Sequence, residues 1–324
     1  MLINRALYIC TLLIMAAAVF ADEIQVIDGK EFIISNGNAY RRENGHWQLF
    51  DRLYDPDFYR KNYIERGGKV FRAADGREWE MSRSFAADLE GVNDIRGLIG
   101  EKCRFTEFTL QSPRTPTVKE YVALRARILK GESGFLDNAI TLETNIVHGG
   151  TRSLKCMSVP AGFGMVCAKT SVSTEFIHFR KGDHCWYSAW YYIDEGMPFT
   201  IVDIESSWIA QSPGPRIAID DRGVAYIELK WAEKPKYRPK DSSVTVPRKR
   251  WFHIELHLLF SEKADGIIEL WQDGRKTVDA VGRTLPLADT IMNSLEIGIS
   301  ANLHDRKTVL YVDDVRISEL RSMH

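Results

Sequence analysis

His253, Glu255 and His257 are the residues whose types and spacing first suggest chemistry. Between Trp251 and Phe260 they alternate with Phe252, Ile254, Leu256 and Leu258. In an extended strand the apolar set takes one face, and the two imidazoles and the carboxylate share the other. One imidazole can accept a proton, the carboxylate can orient it and the second can assist. The same spacing suits a metal site, and it equally describes a solvated outer strand face. A second strand, His184 to Ile193, puts His184, Trp186, Ser188, Trp190 and Tyr192 on one face, with Cys185, Tyr187, Ala189 and Tyr191 on the other. One face must be core; aromatic rings on the free face can stack on sugar rings. The basic stretch from Lys230 to Arg238, with Lys240 and Arg248 to Arg250, is placed to border such a cleft and attract an anionic glycan.

The elements that must hold these residues are strands. Alternating runs at Ala139 to Thr144, Ser153 to Met157, Cys185 to Ile193, Arg216 to Ile219, Val224 to Leu229, Trp251 to Phe260, Gly266 to Trp271, Ser294 to Ile299 and Val309 to Ile317 predict an all-β sandwich or jelly roll over residues 134–324. Residues 22–133 read as an extension. It has short strands around Asp28-Gly29 and Asn36-Gly37, a short helix after Asp55-Pro56, and one clear helix over 116–130. That helix starts at Thr115 and Pro116 and carries Val118, Tyr121, Val122, Leu124, Ile128 and Leu129 as an apolar stripe. It reads as a brace for the sandwich.

Residues 1–21 have the order of a secretory signal: a short basic start, an apolar run from Ala6 to Phe20 and small residues before Asp22. The chain is therefore expected to be secreted or periplasmic, with no membrane association once the signal is removed. The 43 Lys and Arg balance 44 Asp and Glu, which argues against nucleic acid as a partner. Hydrophobic residues at 44% and charged residues at 27% exclude a disordered or multi-span chain. After the signal, Cys103, Cys156, Cys167 and Cys185 remain. A hairpin centred on Pro160-Ala-Gly162 would set Cys156 opposite Cys167 and predicts a disulfide between them.

The motifs together resemble a family. Gly182-Asp-His-Cys-Trp-Tyr187, Trp251-Phe-His-Ile-Glu-Leu-His257, Asp265 to Gly274 and Leu295-Glu-Ile-Gly-Ile299 follow one another as in polysaccharide lyases with a concanavalin A-like jelly roll, relatives of the laminin-G and lectin-like sandwiches. Ser212-Pro213 followed by Arg216 to Ile219 fits the same order. The resemblance covers about Gly134 to the C-terminus. It implies a polysaccharide partner, anionic if it contains uronate, and β-elimination beside the uronate carboxylate. Related lyases carry a Lys and a Tyr where this chain has Glu296 and Ser300; an acid there is expected to repel a uronate. His253, His257, Tyr187 and Tyr192 are then the candidates for catalysis. Trp186, Trp190, Glu255, Trp271, Lys230 and Arg250 are the candidates for binding substrate. The alternative is a non-catalytic, lectin-like carbohydrate-binding module. Asp203 and Glu205 resemble part of the paired acids of related hydrolases, with Ile201 in the first acidic position. Tyr311 to Ser318 resembles the closing strand of jelly-roll carbohydrate modules, which implies Glu143 and Asp313 as ligands of a structural calcium.

Overall fold

The structure, a computed structural model, describes residues 25–27, 30–35, 38–43, 46–52, 63–74, 77–87, 89–100, 103–206, 214–230, 235–286, 288 and 290–321. Strands β1 (Gln25–Ile27), β2 (Lys30–Ser35), β3 (Asn38–Glu43) and β4 (His46–Arg52) pair in order as an antiparallel meander. A second meander joins β5 (Tyr63–Arg66), β6 (Lys69–Ala74) and β7 (Arg77–Glu80). Its first turn is Gly67-Gly68, both at positive φ, where only glycine is unstrained. The signal segment, Ser212-Pro213 and most of the helix expected after Pro56 lie outside the described residues; the end of that stretch, Tyr63 to Arg66, is strand.

The chain continues through β8 (Phe85–Ala86), helix α1 (Ile95–Leu98), β9 (Glu107–Gln111) and helix α2 (Val118–Leu129). There follow β10 (Ala139–Glu143), β11 (Ser153–Ser158), β12 (Ala168–Thr174), β13 (His184–Glu195), β14 (Thr200–Glu205), β15 (Pro215–Ile219) and β16 (Ala225–Leu229). The last strands are β17 (Trp251–Leu259), β18 (Gly266–Gln272), β19 (Arg275–Gly282), β20 (Ser294–Asn302) and β21 (Thr308–Ser318). Two antiparallel sheets result. The larger runs β10-β11-β21-β13-β17-β18-β19, with β8 also on β21; the six-stranded sheet runs β16-β15-β14-β20-β12-β9. Strands β8 and β9 come from before residue 134, so the extension contributes to both sheets.

Alternation decides what faces inward. Phe252, Ile254, Leu256 and Leu258 of β17 and Leu295, Ile297 and Ile299 of β20 are fully buried in one core. Each contributes roughly 1.5–3 kcal/mol by leaving water. Tyr187 belongs to this set. It is fully buried and its hydroxyl meets that of Tyr191 at 2.5 Å. The strand alternation that presents Trp186 outward turns Tyr187 into the core, so Tyr187 cannot touch a substrate, contrary to the sequence expectation.

Two further expectations are corrected. Helix α2 starts at Thr117, which forms a reciprocal capping box with Glu120. Thr115 instead donates its hydroxyl to the Leu110 carbonyl. Only Leu124 and Ile128 of the stripe are buried, while Val118 and Val122 are exposed. The Cys156–Cys167 disulfide is absent because β11 and β12 are not a hairpin: β11 pairs with β10 and β21, and β12 pairs with β20 and β9 in the opposite sheet. Cys156 points into the core, where the missing side chain of Gly298 makes room for its sulfur. Cys167 is partly exposed. Thiol titration of the denatured, non-reduced protein should therefore find Cys103, Cys156, Cys167 and Cys185 all free, and reductant should leave the unfolding midpoint unchanged. A midpoint lowered by reductant would show a cross-link.

Candidate active site

The outer face of the larger sheet carries most of the residues singled out from sequence. Register pairs Trp186 with His257, Ser188 with Glu255 and Trp190 with His253. These side chains satisfy one another. His257 Nδ1 lies 2.6 Å from Glu269 Oε2, and its Nε2 lies 2.9 Å from His184 Nδ1. Burial holds the His257 imidazole below its ordinary pKa against the pull of Glu269. Its ring stacks on Trp186 at 3.9 Å. The Arg321 guanidinium lies over both Trp186 and Trp271 and pairs with Glu255 at 2.5 Å. Trp190 stacks on His148 at 3.8 Å, and His148 is bonded to Asp314. His253 packs against Trp190 with centroids 5.0 Å apart. Tyr192 lies between Trp251 and Tyr311. Histidine and arginine thus lie against the rings of Trp186, Trp190 and Trp271.

The remaining expected ligands are dispersed. Arg250 immediately precedes β17, where Trp251 faces Tyr192, whereas Lys230 follows β16 in the other sheet. Glu143 and Asp313 lie on β10 and β21 with β11 between them. Glu143 accepts the N–H groups of Thr144 and Asn145, and Asp313 those of His148, Gly149 and Asp314. Among the described residues no three His, Cys, Asp or Glu side chains converge as a metal site. The calcium implied by the family resemblance has no fitting donor set here, since backbone amides already hold both carboxylates.

The outer face of the six-stranded sheet is different. Strand register places Glu107, Ser173, Glu296, Asp203, Arg216 and Glu228 side by side, one from each of β9, β12, β20, β14, β15 and β16. Asp203 and Glu296 are direct cross-strand neighbours and are only 2% and 7% exposed. Two carboxylates so placed repel by about 3 kcal/mol at 5 Å in a protein-like dielectric, and the surroundings separate their roles. Burial opposes ionisation of Asp203, but the Lys230 and Lys169 ammonium groups outweigh it and hold its carboxyl below the ordinary range. Lys230 Nζ is 3.0 Å from Asp203 Oδ1 and also pairs with Glu205. Glu296, in contrast, is pushed up to about 7 by burial, with Lys169 opposing and Asp203 and Glu205 reinforcing the shift. The Ser171 hydroxyl donates to it, and Lys169 Nζ lies 4.0 Å from its Oε2. Ser300, in the position of the expected tyrosine, bonds Thr200 and supports ionised Asp203. Tyr121 of α2 is half-buried and interacts electrostatically with Lys169 and Glu296; burial raises its hydroxyl above the ordinary range. Helix α2, read from sequence as a brace, thus also borders this cluster.

This site joins an ionised carboxylate, a carboxyl that titrates near neutrality, two fixed ammonium groups and a protonated phenol. Carboxyl groups driven apart in this way are the mark of acid–base machinery. Among the catalytic and substrate-binding candidates from sequence only Lys230 belongs to it, joined by Asp203 and Glu205, which the sequence likened to the paired acids of hydrolases. The cation missing at position 296 stands instead at Lys169 on the adjoining strand. The polar alternation of Lys169, Ser171 and Ser173, of Asp203 and Glu205, and of Glu296 and Ser300 was the available signal; only register brings the three together.

The chain belongs to the polysaccharide lyase family, whose sequence profile matches residues 119–316, more than half of its length. The match spans every strand from β10 to β20 and most of β21, the jelly-roll sandwich that carries both outer faces. Comparison with curated proteins gave no match. Among solved structures the fold is similar to an endo-β-1,4-glucuronan lyase from the fungus Trichoderma reesei, with a TM-score of 0.50 and 13% identity over 74% of this chain and 95% of that one. An alginate lyase from a Chlorella virus is also similar, with a TM-score of 0.38 and 12% identity over 56% of this chain and 89% of that one.

The Glu296 environment has a consequence for stability. Its folded pKa of about 7 lies above the ordinary 4.5, so the folded state holds the proton more tightly than the unfolded one. That contribution is complete below about pH 4.5 and is lost as pH rises through 7. Glu296→Gln cannot ionise. Relative to wild type, its unfolding free energy in urea should increase between pH 4.5 and pH 8, by on the order of 3 kcal/mol. A difference independent of pH would place the titrating group elsewhere.

Proposed function

We propose that this protein cleaves uronate-containing polysaccharides by β-elimination on the outer face of the six-stranded sheet. The observation that carries the reading is the buried Asp203–Glu296 pair, one carboxyl held ionised and the other poised near neutrality beside Lys169 and Lys230. Elimination requires neutralisation of the uronate carboxylate, removal of the proton on the adjacent ring carbon and a proton for the departing glycosidic oxygen. Lys169 and Lys230 are suited to the first task, since nearby carboxylates keep both protonated. Glu296 is suited to the second: once ionised it accepts the C5 proton, the C4–O bond breaks and a C4=C5 double bond forms. Tyr121 is suited to the third because it retains its proton at neutral pH. Asp203 then acts as a fixed negative charge that keeps Lys230 in place and Glu296 basic. Glucuronan and alginate are the first polymers to test, because the similar structures include lyases named for them. Export fits this reading and is supported by the signal-like order of residues 1–21.

Ultraviolet absorbance of the unsaturated product is the direct assay. Wild-type turnover should rise with pH through about 7 as Glu296 ionises. Glu296→Gln should lower kcat by about two orders of magnitude or more, and Lys169→Met should mainly weaken kcat/KM. His257→Ala should retain kcat. Full activity in Glu296→Gln would refute the assignment of the base. Binding without absorbance for every uronate polymer would leave a carbohydrate-binding module.

A further inference from the structure

The charged row does not end at the sheet edge. On β16, Glu228 pairs with Lys236 at 2.5 Å, and the Arg238 guanidinium lies 4.0 Å from the Tyr226 ring centroid. Lys236 and Arg238 also line a cavity of about 450 Å³ between the segment 236–244 and the β18–β19 hairpin. That size lies within the range of about 300–1,000 Å³ typical of small-molecule sites. Lys240, Arg275 and Lys276 complete its basic lining, the carboxylates of Asp241 and Asp279 stand among them, and Tyr237 and Pro239 supply apolar surface. The cavity opens along the flank of the sandwich and adjoins the outer face of the larger sheet through Lys276, which pairs with Glu269.

We infer that this cavity is a distal subsite for a carboxylate-bearing sugar of the same polymer whose cleavage is proposed at Glu296. The inference rests on that reading, and three observations support it. The path is continuous, because Lys236 bridges the end of the charged row and the cavity wall. The cations are available to a ligand: Lys240 is exposed, and the Arg275–Asp241 pair has both partners about half exposed. Such pairs are worth at most about 1 kcal/mol, so a sugar carboxylate can replace Asp241 on the guanidinium at little cost. The distance also selects a polymer. From Asp203 to Glu228 is two strand spacings, about 10 Å, and the cavity lies beyond. One ring cannot reach both places, whereas a chain of several uronates can.

The test uses the whole protein and the double variant Lys240→Glu/Arg275→Glu, with its unfolding midpoint measured to confirm the fold. KM for a long polyuronate should rise about tenfold, with kcat unchanged, while turnover of the shortest cleaved oligouronate stays at the wild-type value. Equal loss on long and short substrates, or no change on either, would overturn the subsite. Affinity electrophoresis separates this inference from the lyase reading. Polyuronate in the gel should retard wild type more than the variant even if neither forms an unsaturated product, and a neutral glucan should retard neither. Retardation of wild type by a sulfated glucan as strong as that by polyuronate would overturn the assignment to carboxylates.

Discussion

The apposition of Asp203 and Glu296 across β14 and β20 is the constraint around which the six-stranded face is organised. Backbone pairing fixes the two carboxyl groups as neighbours, and the alternation that buries Ile204 and Leu295 leaves them no other direction. Two ionised acids at that spacing would strain the sheet. The protein resolves this with two cations and one proton: Lys230 settles on Asp203, Lys169 approaches Glu296, and Glu296 remains protonated to near neutrality. The residue that looked like an obstacle to binding uronate thereby becomes the group best suited to moving a proton.

The two outer faces of one sandwich illustrate how similar side chains reach different ends. On the larger sheet, histidine, tryptophan, glutamate and arginine are matched in closed sets: Glu269–His257–His184, Trp186–His257, Arg321–Glu255 and His148–Trp190. These mutual contacts favour a fixed surface. On the smaller sheet the charges are buried, crowded and only partly compensated. Function tends to reside where such strain is retained, because a carboxyl destabilised in its ionised form is a better base.

The family match covers both sheets alike. The profile match spans the strands that build both sheets but leaves out β9, the edge strand carrying Glu107, and β8. The chain before residue 119 therefore completes both sheets with pieces outside the matched region. Helix α2 lies almost wholly within the match, and its Tyr121 borders the charged row.

The sequence by itself determined the all-β class, the positions of most of the sandwich strands, though not of β12, β14 or β19, and the face each residue of those strands takes, because period-2 alternation is a local property of the chain. It also determined that Trp186 and Trp190 share one face of their strand and that His253 and His257 share one face of theirs. It could not say which strands become neighbours. Cys156 and Cys167 looked paired from turn signals, yet β11 and the β12 strand that follows Cys167 enter different sheets, because the exposed connection between them passes from one sheet to the other instead of folding back. Glu296 looked repulsive in isolation because its pKa depends on burial and on Lys169, 127 positions away in the sequence. The assembly of Lys169, Asp203, Lys230 and Glu296 was decided only by the tertiary structure, since strand order and register are set by how two whole sheets bury their apolar faces against each other.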